Sequence, residues 1–546
     1  MPSDLQIEQS HPKAPITEVA AKLGLGEDDF LPHGRYIAKL PIQLLKSTRR
    51  NKPGKLVLVT AMSPTPSGEG KTTTSVGLTD ALNRIGHRAS LAVREPSLGP
   101  YFGIKGGGTG AGRAQVVPAE DINLHFTGDI GCVQKATNLL AAMIDNHIPH
   151  QNKLGIDPRR VTWKRVVDLN DRALRDIIIG LGGPQHGVPR KDGFYIAPAS
   201  EVMAILCLAK DFRDLRSRIR KIIFGYTYKR KPVTCAKLGI DAAMVVLLRD
   251  AILPNLVQTL EHSPALVHGG PFANIAHGCS SVLATRMGLQ LSDFLVTEAG
   301  FGSDLGAEKF FNIKCRLAGL TPDAAVIVST LKAIEYHGGY GKQGGWDNLC
   351  WHMDNVRQYG VEPVVAINRF PGDKASDLNK LRNACEKRGV RCEVSEVYKK
   401  GSKGGEALAE AVAEVATRKR RKAFKFLYKD ELGLREKIET IARKSYGASR
   451  VHFARPAARQ LEQFENMGFA HVPVCMAKTP MSFTDNPRVH GAPSGFDITI
   501  NDVMLAAGAG FVVAIAGQVI PMPGLPREPA ALRIKIDSEG NLLDMA

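Results

Sequence analysis

The amino-acid sequence predicts an α/β fold built on a doubly wound, mainly parallel sheet. Short apolar runs alternate with helix-length segments, polar loops follow several of these runs, and one run passes through a glycine-rich turn directly into a helix. The candidate strands are 56–60, 90–93, 294–297, 325–328, 364–368 and 511–516, and the candidate helices are 73–84, 377–388 and 405–417. Ligands of such sheets bind beyond the carboxyl ends of the strands, so we searched the loops there.

The first candidate strand leads into a phosphate-binding pattern. It is followed by Thr65-Pro66-Ser67-Gly68-Glu69-Gly70-Lys71-Thr72 and then by a helix. In a P-loop, backbone N–H groups and the helix N-terminus hold phosphate oxygens. The sequence therefore predicts a P-loop NTPase-like core that binds a nucleoside triphosphate, with Lys71 on the outer phosphates and Thr72 on Mg²⁺. The P-loop consensus has glycine at the position of Thr65, so an ordinary glycine-rich turn before Lys-Thr is the structural alternative.

Length and composition indicate a multidomain protein. A chain of 546 residues is long enough for about three domains. We expect a nucleotide-binding core from 1–148 together with 264–365, an inserted domain with basic helical runs over 149–263, and a C-terminal α/β domain over 366–546. The nine cysteines form no Cys-x-x-Cys pair, which favours free thiols over disulfides or a zinc site.

The chain is strongly basic, with 72 Lys and Arg against 54 Asp and Glu and a formal net charge of +18. Basic residues cluster at 213–221, 229–231 and 418–422, but no nucleic-acid motif accompanies them. We expect solvated helix faces and attraction of small anions, with no nucleic-acid partner. The N-terminus lacks an apolar signal core, and the run 506–516 is too short to span a membrane, so we expect a cytoplasmic protein with no membrane partner.

Further loops carry charged and aromatic side chains. Arg94 and Glu95 follow strand 90–93, where Arg94 can clamp a carboxylate or acyl phosphate and Glu95 can accept N–H groups of an amide-like heterocycle; a structural ion pair is the alternative. The glycine-rich run 105–112 permits close backbone approach to a ligand. Phe301 lies between glycines, so it either stacks on a planar ligand or packs in the core. Phe370 and Tyr398 follow candidate strands and are expected at one pocket edge.

Two histidine-containing loops and one asparagine loop are less specific. Residues 121–129 and 268–278 combine histidines with other polar groups and glycines. The loop after strand 364–368 begins at Asn368 and loosely resembles the base-reading loop of GTPases. Its spacing differs from that loop, which disfavours a GTPase switch.

Together these motifs resemble those of the formate–tetrahydrofolate ligase family, of the monofunctional type. The similar segments run through the whole chain in the family's order: 64–73, 94–100, 121–129, 268–277, 298–310, 474–479 and 522–526. Threonine at position 65 is usual in that family. Tyr398 stands where the family usually has tryptophan.

The resemblance implies ATP-dependent ligation of formate to tetrahydrofolate through formyl phosphate. Lys71 and Arg94 are then catalytic, while Glu95, Phe301, Phe370 and Tyr398 bind the folate, with the C-terminal domain contributing to that site. It further implies ATP with Mg²⁺, a monovalent cation (K⁺ or NH₄⁺), tetrahydrofolate with its polyglutamate tail, and a homotetramer. Two alternatives stay open: a divergent member that activates another carboxylate, and an inactive nucleotide-binding regulatory protein.

Overall fold

The computed structural model describes residues 2–47, 52–104, 108–419, 422–540 and 542–544. Residues 105–107 of the glycine-rich run and 420–421 of the last basic run lie outside these ranges. Within the described residues, no helix is both long and apolar enough to cross a membrane. The α-helices are Asp4–Gln9, Ile16–Lys22, Leu44–Ser47, Lys71–Arg84, Leu98–Phe102, Ala119–Asn123, Asp129–His147, Glu201–Leu208, Phe212–Lys221, Cys235–Leu238, Asp241–Leu247, Val282–Leu291, Arg316–Ala318, Leu331–Tyr336, Gly345–Arg357, Ala375–Lys387, Val397–Lys400, Glu406–Thr417, Leu434–Ile441 and Arg455–Phe464.

Twelve strands join one sheet in the described part of the chain. In chain order they are β1 Leu31–Pro32, β2 Ala38–Lys39, β3 Lys55–Ala61, β4 Ala89–Val93, β5 Gly110–Ala111, β6 Ala114–Val117, β7 Asn255–Thr259, β8 Pro264–Val267, β9 Phe294–Glu298, β10 Ala324–Ser329, β11 Pro363–Asn368 and β12 Arg391–Ser395. The spatial order is β1-β2-β7-β8-β4-β9-β3-β10-β11-β12, with β5 and β6 attached beside β7. From β8 to β12 every neighbouring pair is parallel, which confirms the predicted mainly parallel sheet.

Both faces of the parallel strands are buried, because alternate residues of each strand enter different cores. Leu56 and Leu58 of β3 join one apolar cluster, whereas Val57, Val59 and Ala61 join the other. Continuous apolar strands of this kind are typical of sheets covered by helices on both sides. The helix Lys71–Arg84 lies on the second face, where Gly77 packs so closely on Val397 that a Cβ at residue 77 would lie 2.3 Å from the Val397 Cβ.

Smaller sheets complete the molecule. The segment 149–263, expected to be an inserted domain with basic helical runs, contains the basic helix Phe212–Lys221 and other helices together with several short strands. The strands outside the main sheet are Ile156–Val161, Arg165–Val167, Ile177–Ile179, Arg190–Asp192, Phe194–Ile196, Ile223–Thr227, Pro232–Thr234, Arg450–Phe453, Val474–Ala477, Asp497–Ala506, Phe511–Ala516, Lys535–Ile536 and Leu542–Asp544. The predicted strand 511–516 is real but belongs to a separate four-stranded sheet.

The main sheet draws strands from all three predicted segments. It takes β7 from the range 149–263 and β12 from the range 366–546. β3 lies inside the sheet, with β9 on one side and β10 on the other; the chain runs from β3 to β4 on the β9 side, whereas β10, β11 and β12 follow on the opposite side, so the strand order reverses beside β3. Sheets of this kind bind ligands at such a switch in strand order, which directs attention to the loop after β3.

Candidate functional site

The loop after β3 has the backbone of a phosphate cradle. Gly68 and Gly70 adopt φ angles of 75° and 73°, a left-handed conformation that other residues rarely adopt. The Thr65 backbone N–H donates to the Glu69 carboxylate at 2.5 Å, so the loop is closed by its own side chain. Gly70 caps the helix that begins at Lys71, and the N–H groups of the first turn face the loop.

The hydroxyl of Thr72 meets a carboxylate from the neighbouring strand. Thr72 Oγ1 donates to Glu298 Oε2 at 2.9 Å, and Glu298 ends β9, directly beside β3. A hydroxyl next to a carboxylate is an oxygen donor set that suits Mg²⁺, which typically binds one or two protein groups together with phosphates. The sequence pattern predicts a metal-binding role for Thr72, which stays a prediction, but gave no sign of Glu298, because the two residues are 226 positions apart in the chain.

Asn368 holds the loop from the opposite side. Its Nδ2 donates to the Glu69 carbonyl at 2.7 Å, and its Oδ1 accepts from Thr74 Oγ1 at 3.0 Å. A Cβ added to Gly70 would lie 2.8 Å from the same Nδ2, so the Asn368 amide packs directly against the Gly70 backbone. Asn368 therefore links the end of β11 to the loop after β3 and to the first turn of the helix that follows it.

A buried polar network supports the chain where it leaves β3. Ser63 is its centre: the backbone N–H donates to Asn348 Oδ1 at 3.3 Å, Oγ contacts His352 Nε2 at 3.1 Å, and the carbonyl contacts His337 Nε2 at 3.0 Å. The other ring nitrogen of His352 contacts Ser303 Oγ at 2.8 Å. Burial lowers the pKa of His352 to about 4, so this ring is neutral at physiological pH and serves as a fixed hydrogen-bonding group.

Arg94 lies at the carboxyl end of β4, on the far side of β9 from the P-loop. Its Nη1 donates to the Pro271 carbonyl at 3.3 Å. Its Nε is buried and has no hydrogen-bond partner among the described residues. A Cβ at Gly300 would lie 3.3 Å from Nη2, so glycine leaves room for the guanidinium. A half-buried, incompletely bonded guanidinium is suited to a bidentate anionic ligand.

Glu95 is buried beside another carboxylate. Burial raises the pKa of Glu95 well above its usual value, and Asp129 raises it further, whereas Lys39 opposes the shift. Lys39 itself is bonded to Asp129 at 2.8 Å and does not contact Glu95 directly. Glu95 Oε2 is buried without a partner among the described residues. The side chain is therefore not ion-paired with its neighbour Arg94, and its carboxyl group can exchange hydrogen bonds with a ligand.

The aromatic candidates occupy the same edge of the sheet but not one cluster. Phe301 follows β9, has a left-handed φ of 63°, and is half-buried against the main core. Left-handed backbone at a bulky residue is strained and is found mostly at functional sites. Phe370 follows β11, and the Lys332 ammonium lies 4.7 Å from its ring centroid.

Tyr398 is 44% exposed and lies against the glycine-rich loop. A Cβ at Gly112 would be 2.8 Å from Tyr398 Cδ2, and a Cβ at Gly108 would be 3.0 Å from the Pro96 Cβ. Gly108 and Gly112 are four residues apart and therefore at most about 14 Å apart. This loop thus connects the neighbourhood of Glu95 with that of Tyr398.

The histidines of the loop 268–278 lie in different environments. Both ring nitrogens of His268 are bonded, at 2.6 Å to Ser281 Oγ and at 2.7 Å to the Ala251 carbonyl, as in a structural residue. Both nitrogens of His277 are buried without a partner among the described residues, and burial together with nearby cations lowers its pKa to about 3. Neither ring is a cation at neutral pH.

A cavity of about 890 Å³ is separate from the loop after β3. It is lined by Trp163, Tyr195, Phe464 and neighbours, and it reaches the loop 268–278 through Ile275 and Ala276. Pro66, Ser67 and Gly70 are instead exposed at the sheet edge. The loop after β3 is therefore open to solvent at these three residues.

Comparison with known proteins agrees with this geometry. The family model described as formate–tetrahydrofolate ligase matches residues 2–546. A protein of Paracoccus denitrificans (strain Pd 1222) named formate–tetrahydrofolate ligase is 56% identical over 553 residues, which cover 99% of each chain.

Proposed function

The chain belongs to the formate–tetrahydrofolate ligase family, and from this premise we propose how its residues perform the ATP-dependent ligation of formate to N10 of tetrahydrofolate. The reaction gives 10-formyltetrahydrofolate, ADP and phosphate. In the proposed sequence a formate oxygen attacks the γ-phosphorus of ATP, ADP leaves, and formyl phosphate forms. N10 then attacks the formyl carbon, loses its proton, and expels phosphate.

One observation carries the proposal: Arg94 and the P-loop lie at the same sheet edge with one strand between them. Two strand spacings amount to roughly 10 Å. That gap suits a phosphoryl group with the nucleotide on one side and a small carboxylate on the other. Phosphoryl transfer depends mainly on such positioning and on neutralisation of the phosphate charge, and it needs no covalent nucleophile from the protein.

Each group then has a defined task. The residues Thr65 to Thr72 hold the triphosphate, and Lys71 neutralises its outer oxygens. Thr72 and Glu298 would hold Mg²⁺, which when bound neutralises further phosphate charge. Arg94 orients formate and stabilises the acyl phosphate, since its buried Nε lacks another partner among the described residues.

The folate is proposed to extend from Glu95 to Tyr398. Burial deprives the Glu95 carboxyl group of water. N–H donors of the pteridine ring would supply the missing hydrogen bonds and would favour the ionised form of Glu95. Phe301 and Phe370 would contact the ring system, and Tyr398 would stack beside the glycine-rich loop, so that the C-terminal segment completes the site.

The test measures 10-formyltetrahydrofolate and ADP with purified protein, ATP, Mg²⁺, formate and tetrahydrofolate. Both products should depend on formate and on folate together. Lys71→Ala should abolish them, whereas Lys55→Ala should not, because Lys55 pairs with Asp323 at the opposite end of β3. ADP formation with another carboxylate and without folate would favour the alternative ligase, and ATP binding without any turnover would favour the regulatory alternative.

Three further properties rest on the family alone. We propose a homotetramer, a cytoplasmic location, and stimulation by a monovalent cation such as K⁺ or NH₄⁺. Light scattering of the purified protein and assays in sodium against potassium buffers test the first and third, and fractionation of the producing cells tests the second.

A further inference from the structure

Two cations bind one short turn beside the proposed acyl-phosphate site. Arg94 Nη1 donates to the carbonyl of Pro271, and Lys309 Nζ donates to the carbonyl of Ala273, at 3.3 and 2.5 Å. The turn also touches the loop of Phe301: a Cβ at Gly300 would lie 2.6 Å from the Ala273 Cβ and 3.3 Å from Arg94 Nη2. Lys309, the turn, Gly300 and Arg94 are therefore packed without spare room.

The ammonium of Lys309 is fully buried and makes no ion pair with a carboxylate within 4.0 Å among the described residues. Asp304, a carboxylate in the same segment as Lys309, instead pairs with the Nζ of Lys478 at 3.1 Å. Lys309 also hydrogen-bonds the Cys475 side chain, but neither this neutral thiol nor the Ala273 carbonyl carries a negative charge, so the buried cation costs stability and a hydrophobic residue of similar size would serve the fold at least as well. The lysine is thus better explained by what it positions.

We propose that Lys309 is a positioning residue for the ligase reaction. It fixes the turn 271–273, and through the Pro271 carbonyl it fixes the direction of the Arg94 guanidinium. This inference rests on the proposed function, because it takes Arg94 as the group that orients formate. Arg94 makes its one described hydrogen bond to this turn, so a shift of the turn changes where the guanidinium points.

The experiment compares Lys309→Met and Lys309→Gln with Lys314→Met. Lys314 is equally buried in the same segment, but its Nζ bonds the Ser280 carbonyl and Thr285 Oγ1, beyond the turn. For Lys309→Met we expect kcat/KM for formate to fall roughly 10- to 100-fold, as misplacement of a reacting group by about 1 Å does. The dissociation constant for ATP should stay within twofold of the wild type, and Lys309→Gln, which keeps an N–H donor, should fall between.

Three results would overturn the assignment. The first is a Lys309→Met enzyme whose kcat/KM for formate changes no more than that of Lys314→Met. The second is ATP affinity that falls in parallel with formate use. The third is failure of both Lys309 variants to fold while Lys314→Met folds, which makes the residue structural only. A wild-type protein without formate-dependent turnover would instead refute the proposed function itself.

Discussion

Replacing Asn368 by alanine should weaken ATP binding without unfolding the protein. The side chain joins the end of β11 to the phosphate loop through the Glu69 carbonyl and the Thr74 hydroxyl. Thr74 Oγ1 can also donate to the Gly70 carbonyl at 2.9 Å, so this hydroxyl keeps a hydrogen-bond acceptor when Asn368 is replaced by alanine. The Glu69 carbonyl loses the bond from the Asn368 amide, and the loop loses the contact that fixes Gly70.

The magnitude follows from these contacts. One net hydrogen bond contributes about 1 kcal/mol, and loss of loop order adds a comparable amount, which gives about 1 to 2 kcal/mol. Since about 1.4 kcal/mol corresponds to tenfold in affinity, the dissociation constant for ATP should rise about 5- to 30-fold. Bound formate or folate should not reverse the loss, because Asn368 acts on the phosphate loop.

Isothermal titration with a non-hydrolysable ATP analogue measures this constant. Asn83→Ala is the matched control, because Asn83 is a half-buried amide of the same helix whose Nδ2 has three oxygen acceptors within hydrogen-bond distance. It lies 13 residues from Gly70, about 20 Å along the helix, and its loss should lower stability but not ATP affinity. A folded Asn368→Ala protein that binds ATP within twofold of the wild type would refute the idea that Asn368 orders the loop.

Three other substitutions test separate parts of the site. Glu298→Gln should raise the Mg²⁺ concentration for half-maximal activity by about tenfold, because the carboxylate charge is lost; an unchanged requirement removes Glu298 from the metal site. Tyr398→Trp should lower the KM for tetrahydrofolate through a larger stacking face, and an unaltered KM excludes stacking there. Burial raises the pKa of Asp80 to about 7, so the folded protein holds this proton more tightly than the unfolded chain, and stability falls as pH rises from about 4 to about 7. Asp80→Asn should flatten that part of the profile in urea unfolding, and identical profiles would refute the assignment.

The parallel core of the fold was predictable because its strands are apolar on both faces. The candidate strands 56–60, 90–93, 294–297, 325–328 and 364–368 each lie within an observed strand of the main sheet. β12 escaped prediction because, as an edge strand, it places Arg391 and Glu393 among its apolar residues. The short strands of 149–263 were not predicted, because strands of two or three residues depend on pairing with partner strands that lie far along the chain.

The candidate site likewise contains residues that local sequence indicates and residues that only the fold brings together. The P-loop and Arg94 were proposed from local sequence, because glycine, Lys-Thr and a strand end leave a pattern within a few residues, and their roles stay predictions. Glu298 and Asn368 act across strands, and nothing in their own neighbourhoods indicates that they contact the phosphate loop. The outcome for Tyr398 is similar: its local sequence indicates an aromatic residue after a strand, but only the fold brings it against Gly112.

The position of β3 has a consequence for how the protein is made. Both of its edges pair with strands that occur more than 230 residues later, β9 and β10. While the ribosome has synthesised only the first 290 residues, β3 has neither neighbour, and its open apolar edges resemble those that cause strands to aggregate. The proposed nucleotide site is therefore absent from a short nascent chain. It is completed only after β10 has emerged, so we expect ATP to stabilise the finished protein and not to guide its early folding.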